Sequence, residues 1–180
     1  VTADEGIRFD ASKESLSGLK TLTEDGVLTA GSSSQICDGA AAIMIVNDAG
    51  LKKLGIKPRA KIVALALAGD DPVIMLTGPI PASKTVLDKA ELKIEDMDLY
   101  EVNEAFAPVP LAWAHELKAD KSKLNVNGGA MALGHPLGGT GAKLMTTLLH
   151  ELERREGKYG LQAICEGGGT ANAMIIERLD

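Results

Sequence analysis

The chain has 180 residues, which fit one domain or one domain with an appended segment. Its 19 basic and 25 acidic side chains give a net charge of −6 without any Lys/Arg-rich run, which argues against a nucleic-acid-binding surface. A hydrophobic fraction of 45% beside 24% charged residues is typical of a globular chain and excludes a disordered one, and the aromatic content of 3% predicts an aliphatic core.

Apolar spacing and turn residues predict alternating helices and strands. Leucines recur every three residues in a short helix over Ser12–Leu22, with Ser12 as N-cap, and a second short helix over Asp48–Leu54 ends at Gly55. The apolar run Ala40–Val46 is predicted to be a buried strand or helix piece. The other predicted strands are Lys61–Ala68, Leu99–Val102, Leu124–Val126, Tyr159–Cys165 and Ala171–Arg178. The other predicted helices are Pro81–Leu92, Glu104–Leu117 and Leu137–Arg155.

This order predicts an α/β fold with the arrangement βαβαβαββ. The strands are continuous apolar runs rather than alternating ones, which implies that helices cover both faces of a mixed sheet. The longest apolar run is far shorter than the ~20 residues of a membrane span, and no secretion signal opens the chain. Cys37 and Cys165 lack metal-ligand spacing. We therefore expect a cytoplasmic protein with no membrane partner and no metal.

Three segments carry candidate chemistry, and the first is Asn103-Glu104-Ala105-Phe106-Ala107 at a predicted strand-to-helix junction. The Asn103 side chain either caps the helix or holds a water or substrate oxygen at the edge of the sheet. The second segment, from Asn127 to Lys143, contains six glycines, but their order is neither that of a P-loop nor that of a dinucleotide-binding loop.

Within this glycine-rich segment, His135 precedes Pro136 at the predicted start of a helix. The helix dipole there favours a neutral imidazole, which is able to accept a proton. The alternative is a histidine that only hydrogen-bonds in a tight turn. His115 and His150 are predicted to be solvated on charged helices.

The third segment is Cys165-Glu166-Gly167-Gly168-Gly169, at a predicted strand end. Its glycines expose backbone N–H groups that are suited to bind an oxyanion, and a thiol beside them is placed to exchange a proton with a carbon acid. The alternative is that Cys165 is an inert buried hydrophobe.

Together the three segments resemble the thiolase family, and Thr29-Ala30-Gly31, Ser34 and Asp38-Gly39-Ala40-Ala41-Ala42 resemble the stretch before its carboxyl-terminal domain. The resemblance implies a five-layered α/β/α/β/α enzyme of two similar halves and a loop domain. This chain resembles the end of the loop domain, with its coenzyme A-contacting linker, over residues 1–36 and the carboxyl-terminal domain over residues 37–180.

The resemblance also implies a role for each site residue. His135 would be the base that activates a cysteine nucleophile and helps to polarise the thioester oxygen, and Cys165 the acid/base that moves the α-proton of acetyl-CoA. Asn103 would hold the water that completes one oxyanion hole, and the Gly167 amide would contribute to a second, with Phe106 on the substrate-binding side. Ser34 and Arg8 would contact the pantetheine and adenine ends of coenzyme A, which is a substrate; no cofactor is expected.

The family nucleophile is a cysteine of the first half, which these residues do not include. Cys37 lacks a glycine-rich elbow and has no reason to lie against His135, so it is interpreted as structural. The expected partners are therefore an amino-terminal thiolase half, acyl-CoA and coenzyme A, with the complete enzyme a homodimer or homotetramer.

The expected reaction is reversible cleavage of 3-oxoacyl-CoA by coenzyme A in fatty acid β-oxidation. The alternatives are biosynthetic acetoacetyl-CoA synthesis and a non-catalytic thiolase-like subunit that binds acyl-CoA or a partner chain. A decarboxylating condensing enzyme would have a second histidine where Asn103 stands.

Overall fold

The structure is a computed structural model that describes residues 2–179, in which helices and strands alternate as expected for an α/β chain. The α-helices are α1 (Lys13–Ser17), α2 (Asp48–Leu54), α3 (Pro79–Ala90), α4 (Pro108–Leu117), α5 (Ala130–Leu133) and α6 (Thr140–Arg155). The strands are β1 (Ala60–Gly69), β2 (Leu99–Val102), β3 (Tyr159–Glu166) and β4 (Thr170–Arg178). Short 3₁₀ helices cover Ala30–Ser32, Ile94–Asp96 and Lys121–Lys123.

The four strands form one mixed sheet in the order β1-β4-β3-β2. β4 is antiparallel to both β1 and β3, whereas β2 runs parallel to β3 with Val102 opposite Ala163. A parallel pair brings the carboxyl ends of its strands to the same edge of the sheet. The ends of β2 and β3 therefore deliver Asn103 and Cys165 to one place.

Helices cover both faces of the sheet, as predicted. On one face α3 and α4 contribute to a core built around Trp113 and Tyr100, whose rings meet edge to face at a centroid distance of 5.2 Å. On the other face α6 packs its apolar stripe of Leu144, Leu148 and Leu152, of which Leu148 and Leu152 join a cluster with Leu99. Residues along a strand alternate between faces, so β2 and β4 contribute to both clusters.

Leu124–Val126 is not a strand, in contrast to the prediction. It makes only isolated bridges, one of them between Leu124 and Tyr100. Asn125 has a φ of 46°, and its side-chain amide replaces a backbone partner of Val102: Nδ2 donates to the Val102 carbonyl and Oδ1 accepts from the Val102 N–H, both at 2.9 Å. Asn tolerates this left-handed conformation better than most residues do. Its side chain here makes the two hydrogen bonds to Val102 that a neighbouring strand would make with its backbone.

Two predicted helices begin later than the sequence indicates. α4 starts at Pro108 rather than Glu104, because the Ala105 carbonyl accepts from Ser34 N and Ala107 N donates to the Ser32 carbonyl. Asn103 therefore does not cap this helix. α6 starts at Thr140 rather than Leu137, so Pro136 lies before the helix and not in its first turn.

Several apolar side chains remain uncovered in the described residues. Ala40–Val46, predicted to be buried, forms no helix or strand, and Met44 and Ile45 are 71% and 70% exposed. On β1, Leu65 and Leu67 are 54% and 82% exposed, because α3 packs on the opposite face of this strand, where Ala66 is buried. None of the helices within residues 2–179 combines the length and the apolar character that crossing a bilayer requires.

The Trp113–Ser83 hydrogen bond provides a test of the core. The indole Nε1 donates to Ser83 Oγ at 2.8 Å, and both residues are fully buried. We expect Trp113→Phe to lower the free energy of unfolding by about 2–4 kcal/mol, since it leaves a buried hydroxyl unpaired and a small cavity. Urea denaturation measures this loss.

Ser83→Ala with Trp113→Phe is the matched control. The double substitution should lower the free energy of unfolding by less than the sum of the two single substitutions, because neither buried polar group is then left without its partner. Strictly additive losses would show that the hydrogen bond does not stabilise the core.

Candidate active site

His135 and Cys165 line the same cavity, although thirty residues separate them in the sequence. The cavity has a volume of about 370 Å³, which lies within the range of small-molecule sites. Its other lining residues are Leu137, Thr140, Gly141, Ile164, Glu166, Gly167 and Asn172. The predicted oxyanion residue Gly167 thus belongs to the same wall. In residues 2–179 no three or more His, Cys, Asp and Glu side chains are grouped to hold a metal ion.

His135 is held on its backbone and on its ring. Its N–H donates to the Gln35 carbonyl at 2.7 Å, and its Nδ1 lies 2.6 Å from Thr140 Oγ1. The preceding carbonyl, of Gly134, accepts from Lys143 Nζ at 2.6 Å. These contacts from a distant loop and from α6 fix the position of the imidazole, which is half-buried.

Asn103 directly follows β2, at the edge of the sheet where β3 also ends, and is 1% exposed. Its N–H donates to the Ala163 carbonyl at 3.0 Å and so extends the β2–β3 ladder by one residue. Neither polar atom of its carboxamide has a hydrogen-bond partner within residues 2–179. A buried amide without partners is costly, which makes Asn103 a candidate for binding a water or a substrate oxygen.

The protein environment shifts the pKa of both candidate proton-transfer groups. Burial lowers the pKa of His135, and the nearby Lys143 charge lowers it further, so the neutral imidazole is favoured. Burial raises the pKa of the Cys165 thiol, and a polar interaction with the Asn103 side chain acts in the opposite direction. The resting pair is therefore a neutral base beside a protonated thiol.

Two glycines in the site are required by close approach as well as by conformation. A Cβ on Gly134, whose φ is 86°, would lie 2.4 Å from Cys37 Sγ, and one on Gly169, whose φ is 81°, would lie 2.5 Å from the Asp70 carbonyl oxygen. No other residue type fits such positions without displacing its neighbours. The glycines thus let Cys37 pack closely against the segment before His135 and let the loop at Asp70 pack against the turn after Cys165.

Ser34, Phe106 and Arg8 are linked by hydrogen bonds or a bridge in or to residues 33–35. Ser34 N donates to the Ala105 carbonyl at 2.9 Å, and Ser33 forms a bridge with Phe106. Arg8 is exposed, and its Nη1 lies 3.4 Å from Gln35 Oε1. The predicted coenzyme A residues are therefore connected to the backbone that holds His135.

Cys37 lies beside the segment that carries His135, a proximity that was not predicted from the sequence. Its Sγ packs against Gly134, the residue before His135, because Ile36 and His135 form a parallel bridge. The thiol is half-buried, and Cys37 lines a second, open groove with Pro136 to Gly139.

Two buried polar residues on β2 and β3 were not predicted from the sequence. Glu101 and Gln162 are opposite each other on β2 and β3 and are 2% and 4% exposed. Glu101 Oε2 and Gln162 Oε1 have no hydrogen-bond partner in the described part of the chain. Burial, followed by the negative charge of Glu104, raises the pKa of Glu101 to about 8, although Lys143 opposes this shift. The acidic Glu101 within the otherwise apolar β2 is the sequence feature from which this buried pair could have been predicted.

Comparison with known sequences identifies the family. The "Thiolase, C-terminal domain" profile matches residues 56–178, and the "Thiolase, N-terminal domain" profile matches residues 1–49. The chain belongs to the thiolase family. The recognition and the α/β fold class predicted from the sequence are thus confirmed.

Two curated thiolases illustrate the range of names among the relatives. The chain is 58% identical over 176 residues to the steroid 3-ketoacyl-CoA thiolase FadA6 of Mycobacterium tuberculosis, covering 98% of this chain and 43% of that protein. It is 47% identical over 178 residues to an acetyl-CoA acetyltransferase of Allochromatium vinosum, covering 98% of this chain and 45% of that protein. The chain therefore spans less than half the length of these relatives.

Solved thiolase structures have the same fold. The acetyl-CoA acetyltransferase of Bacillus anthracis superposes with a TM-score of 0.93 at 45% identity, covering 98% of this chain and 45% of that one. Human mitochondrial 3-ketoacyl-CoA thiolase in complex with CoA superposes with a TM-score of 0.90 and the same identity and coverage.

The raised pKa of Glu101 predicts that the stability of this thiolase chain depends on pH. A folded-state pKa of about 8, against an ordinary value of 4.5, means that the stabilising contribution is complete below about pH 4.5 and is lost as the pH rises toward 8. We expect Glu101→Gln to remove this loss. Between pH 5 and pH 7.5, the unsubstituted chain should lose about 3 kcal/mol more of its free energy of unfolding than the Glu101→Gln variant does.

Urea denaturation at both pH values measures the change. The comparison at pH 5 is the internal control for packing effects, since Glu101 is protonated there in the folded state. An equal effect of Glu101→Gln at the two pH values would contradict the raised pKa.

Proposed function

We propose that this chain is the carboxyl-terminal part of an acyl-CoA C-acyltransferase. The observation that supports this function most directly is the shared cavity of His135 and Cys165, with the unpaired Asn103 amide beside the thiol. A proton acceptor, a thiol and an amide that lacks a partner are the groups needed to form and stabilise an enolate.

We further propose that the reaction is cleavage of 3-oxoacyl-CoA by coenzyme A, in the degradative direction. The 58% identity to a protein named steroid 3-ketoacyl-CoA thiolase supports this direction, whereas relatives named acetyl-CoA acetyltransferase favour biosynthetic condensation as the second candidate. Coenzyme A would be a substrate, and the proposed chemistry uses no cofactor.

In the proposed first step, His135 Nε2 accepts the proton of a cysteine nucleophile. The thiolate attacks the 3-oxo carbon of the substrate, the bond between its α and β carbons breaks, and the electron pair becomes the enolate of acetyl-CoA. Cys165 Sγ–H then donates a proton to the α-carbon and releases acetyl-CoA. Coenzyme A takes the acyl group from the enzyme in the second half of the cycle, which divides one difficult transfer into two easier ones.

The enolate oxygen needs fixed hydrogen-bond donors. The protonated His135 ring and a water on Asn103 would supply one set, and the Gly167 N–H would contribute to another for the acyl-enzyme. Each donor of this kind contributes roughly 3–4 kcal/mol, as judged from the effect of removing it. Phe106 would border the acyl group.

Coenzyme A is proposed to lie along the path from Arg8 to Ser34. The human relative crystallised with CoA supports a coenzyme A site in this family fold. Arg8 is exposed and suited to the adenine end, while Ser34 is half-buried beside Ala105 and suited to the narrow pantetheine.

An amino-terminal thiolase half is the proposed source of the nucleophile. The exposed Met44, Ile45, Leu65 and Leu67 support this, because apolar surface of this kind marks a packing partner. The assembled enzyme is proposed to be a homodimer or homotetramer. Two free cysteines suit the reducing cytoplasm, which we propose as its compartment.

A non-catalytic subunit that binds acyl-CoA or a partner chain is the rival function. Such a binder needs neither a neutral imidazole nor a buried thiol facing the same cavity. If this rival function is correct, the assembled protein should not cleave 3-oxoacyl-CoA but should still bind acyl-CoA.

Two substitutions in the protein assembled with its amino-terminal half test the proposal. His135→Ala should lower cleavage of 3-oxoacyl-CoA by about 10²-fold or more, since the nucleophile loses its base. Cys165→Ser should abolish α-proton exchange on acetyl-CoA and spare acylation of the nucleophile. Mass spectrometry of the acyl-enzyme and deuterium exchange separate these two steps.

His150→Gln and Cys37→Ser are the matched controls, because they change the same residue types outside the cavity. Full activity of His135→Ala would contradict the role of the base. Equal survival of both steps in Cys165→Ser would contradict the role of the thiol.

A further inference from the structure

Thr140 is the first residue of α6, and its hydroxyl lies between the imidazole of His135 and a backbone carbonyl. Oγ1 is 2.6 Å from His135 Nδ1, and it donates to the Pro136 carbonyl at 2.9 Å. Thr140 is 2% exposed, so water has little access to compete for either contact.

The direction of the hydrogen bonds follows from counting protons. A threonine hydroxyl has one proton and two lone pairs, and a carbonyl oxygen is able only to accept. Because the Thr140 proton goes to the Pro136 oxygen, a lone pair of Oγ1 faces Nδ1, and the hydrogen of that contact belongs to the ring. In the neutral imidazole the lone pair then lies on Nε2.

We propose that Thr140 is a positioning residue that selects the His135 tautomer with Nδ1–H and leaves Nε2 as the proton acceptor of the cavity. The inference rests on the proposed function of His135 as a base, and it adds the group that prepares that base. The second ring nitrogen of a functional histidine is commonly set in this way by the hydrogen bond of the first.

The same contact serves both protonation states. When Nε2 accepts a proton, Nδ1 keeps its own, and Thr140 Oγ1 continues to accept from it while still donating to Pro136. No side chain has to rearrange during the transfer. The hydrogen bond becomes charge-assisted in the imidazolium and therefore stronger. This hydrogen bond favours the protonated ring, whereas burial and the charge of Lys143 favour the neutral ring.

His150 provides an internal reference for the tautomer. Its Nδ1 lies 2.8 Å from the Thr146 carbonyl oxygen, so Nδ1 of the neutral ring has to carry the hydrogen. His150 is on α6 as well but is exposed and makes no part of the cavity wall. The chain has three histidines, which keeps a nitrogen spectrum simple.

The test is a ¹⁵N spectrum of the histidine rings in the assembled protein, with only this chain labelled. At a pH where the rings are neutral, His135 should show a protonated Nδ1 and an unprotonated Nε2, like His150. In Thr140→Val the His135 signals should move toward the opposite tautomer, because Nδ1 loses its acceptor. Thr140→Ser keeps the hydroxyl and should restore the original pattern.

Thr147→Val is the matched control. The Thr147 hydroxyl also donates to a carbonyl one turn earlier in α6, that of Lys143 at 3.1 Å, while His135 Nδ1 pairs with Thr140. It should leave the His135 spectrum unchanged. Thr140→Ala is a second variant that removes the hydroxyl if the larger valine disturbs packing.

Activity measurements complete the test. A wrong tautomer in a carboxylate-oriented histidine costs about 10⁴-fold in kcat, and a neutral hydroxyl orients less strongly, so Thr140→Val should lower kcat by about 10- to 100-fold. KM for coenzyme A should change little, and Thr140→Ser should recover most of kcat.

Two results would overturn the inference. The first is a protonated Nε2 in the unsubstituted protein, or an unchanged His135 spectrum in Thr140→Val and Thr140→Ala. The second is the expected spectral change without loss of kcat, which would leave the tautomer without a role. If His135→Ala abolishes cleavage in that same preparation, the proposed function survives and only the role of Thr140 fails.

Discussion

The parallel pairing of β2 with β3 is the constraint on which the site depends. The ladder ends with the Asn103 N–H on the Ala163 carbonyl, and Cys165 follows two residues later on β3. Because both strands end at the same edge of the sheet, an amide and a thiol from separate motifs are brought together without a direct sequence link. Ligands in α/β proteins bind at such edges.

Backbone contacts from a distant loop complete the arrangement. Residues 32–35 bond to Ala105 and Ala107 on one side and to His135 on the other, so the main-chain hydrogen bonds of a short segment set the distance between two motifs. Gly134 and Gly169 allow loops to approach within the space a Cβ would occupy. Positioning by main-chain hydrogen bonds is stiff, which suits groups that exchange protons over short distances.

Local signals made some elements predictable and left others out of reach. β2 and α2 were predicted at their observed bounds, since an apolar run between polar residues and a glycine C-cap act within a few residues. The start of α4 was wrong because its first carbonyls and N–H groups bond to residues about seventy positions away. Ala40–Val46 has the composition of a buried element but no neighbour to bury it within residues 2–179.

In the candidate site, too, some residues were predictable from local motifs, whereas other contacts became visible only in the folded structure. His135, Cys165 and Asn103 were found from motif chemistry, and the structure brings them together. The contact of Cys37 with Gly134 and the buried Glu101–Gln162 pair depend on tertiary packing, which spacing along the sequence does not encode. The contact of the Thr140 hydroxyl with Nδ1 of His135 is local, but it depends on α6 beginning at Thr140, which the sequence did not predict.

The most direct test is a crystal structure of the assembled protein with acetyl-CoA. We expect the thioester oxygen within hydrogen-bond distance of His135 Nε2 and of an ordered water on the Asn103 amide, with the acetyl methyl group beside Cys165 Sγ. An acetyl group bound outside this cavity, or an Asn103 amide that stays without water or substrate, would contradict the account.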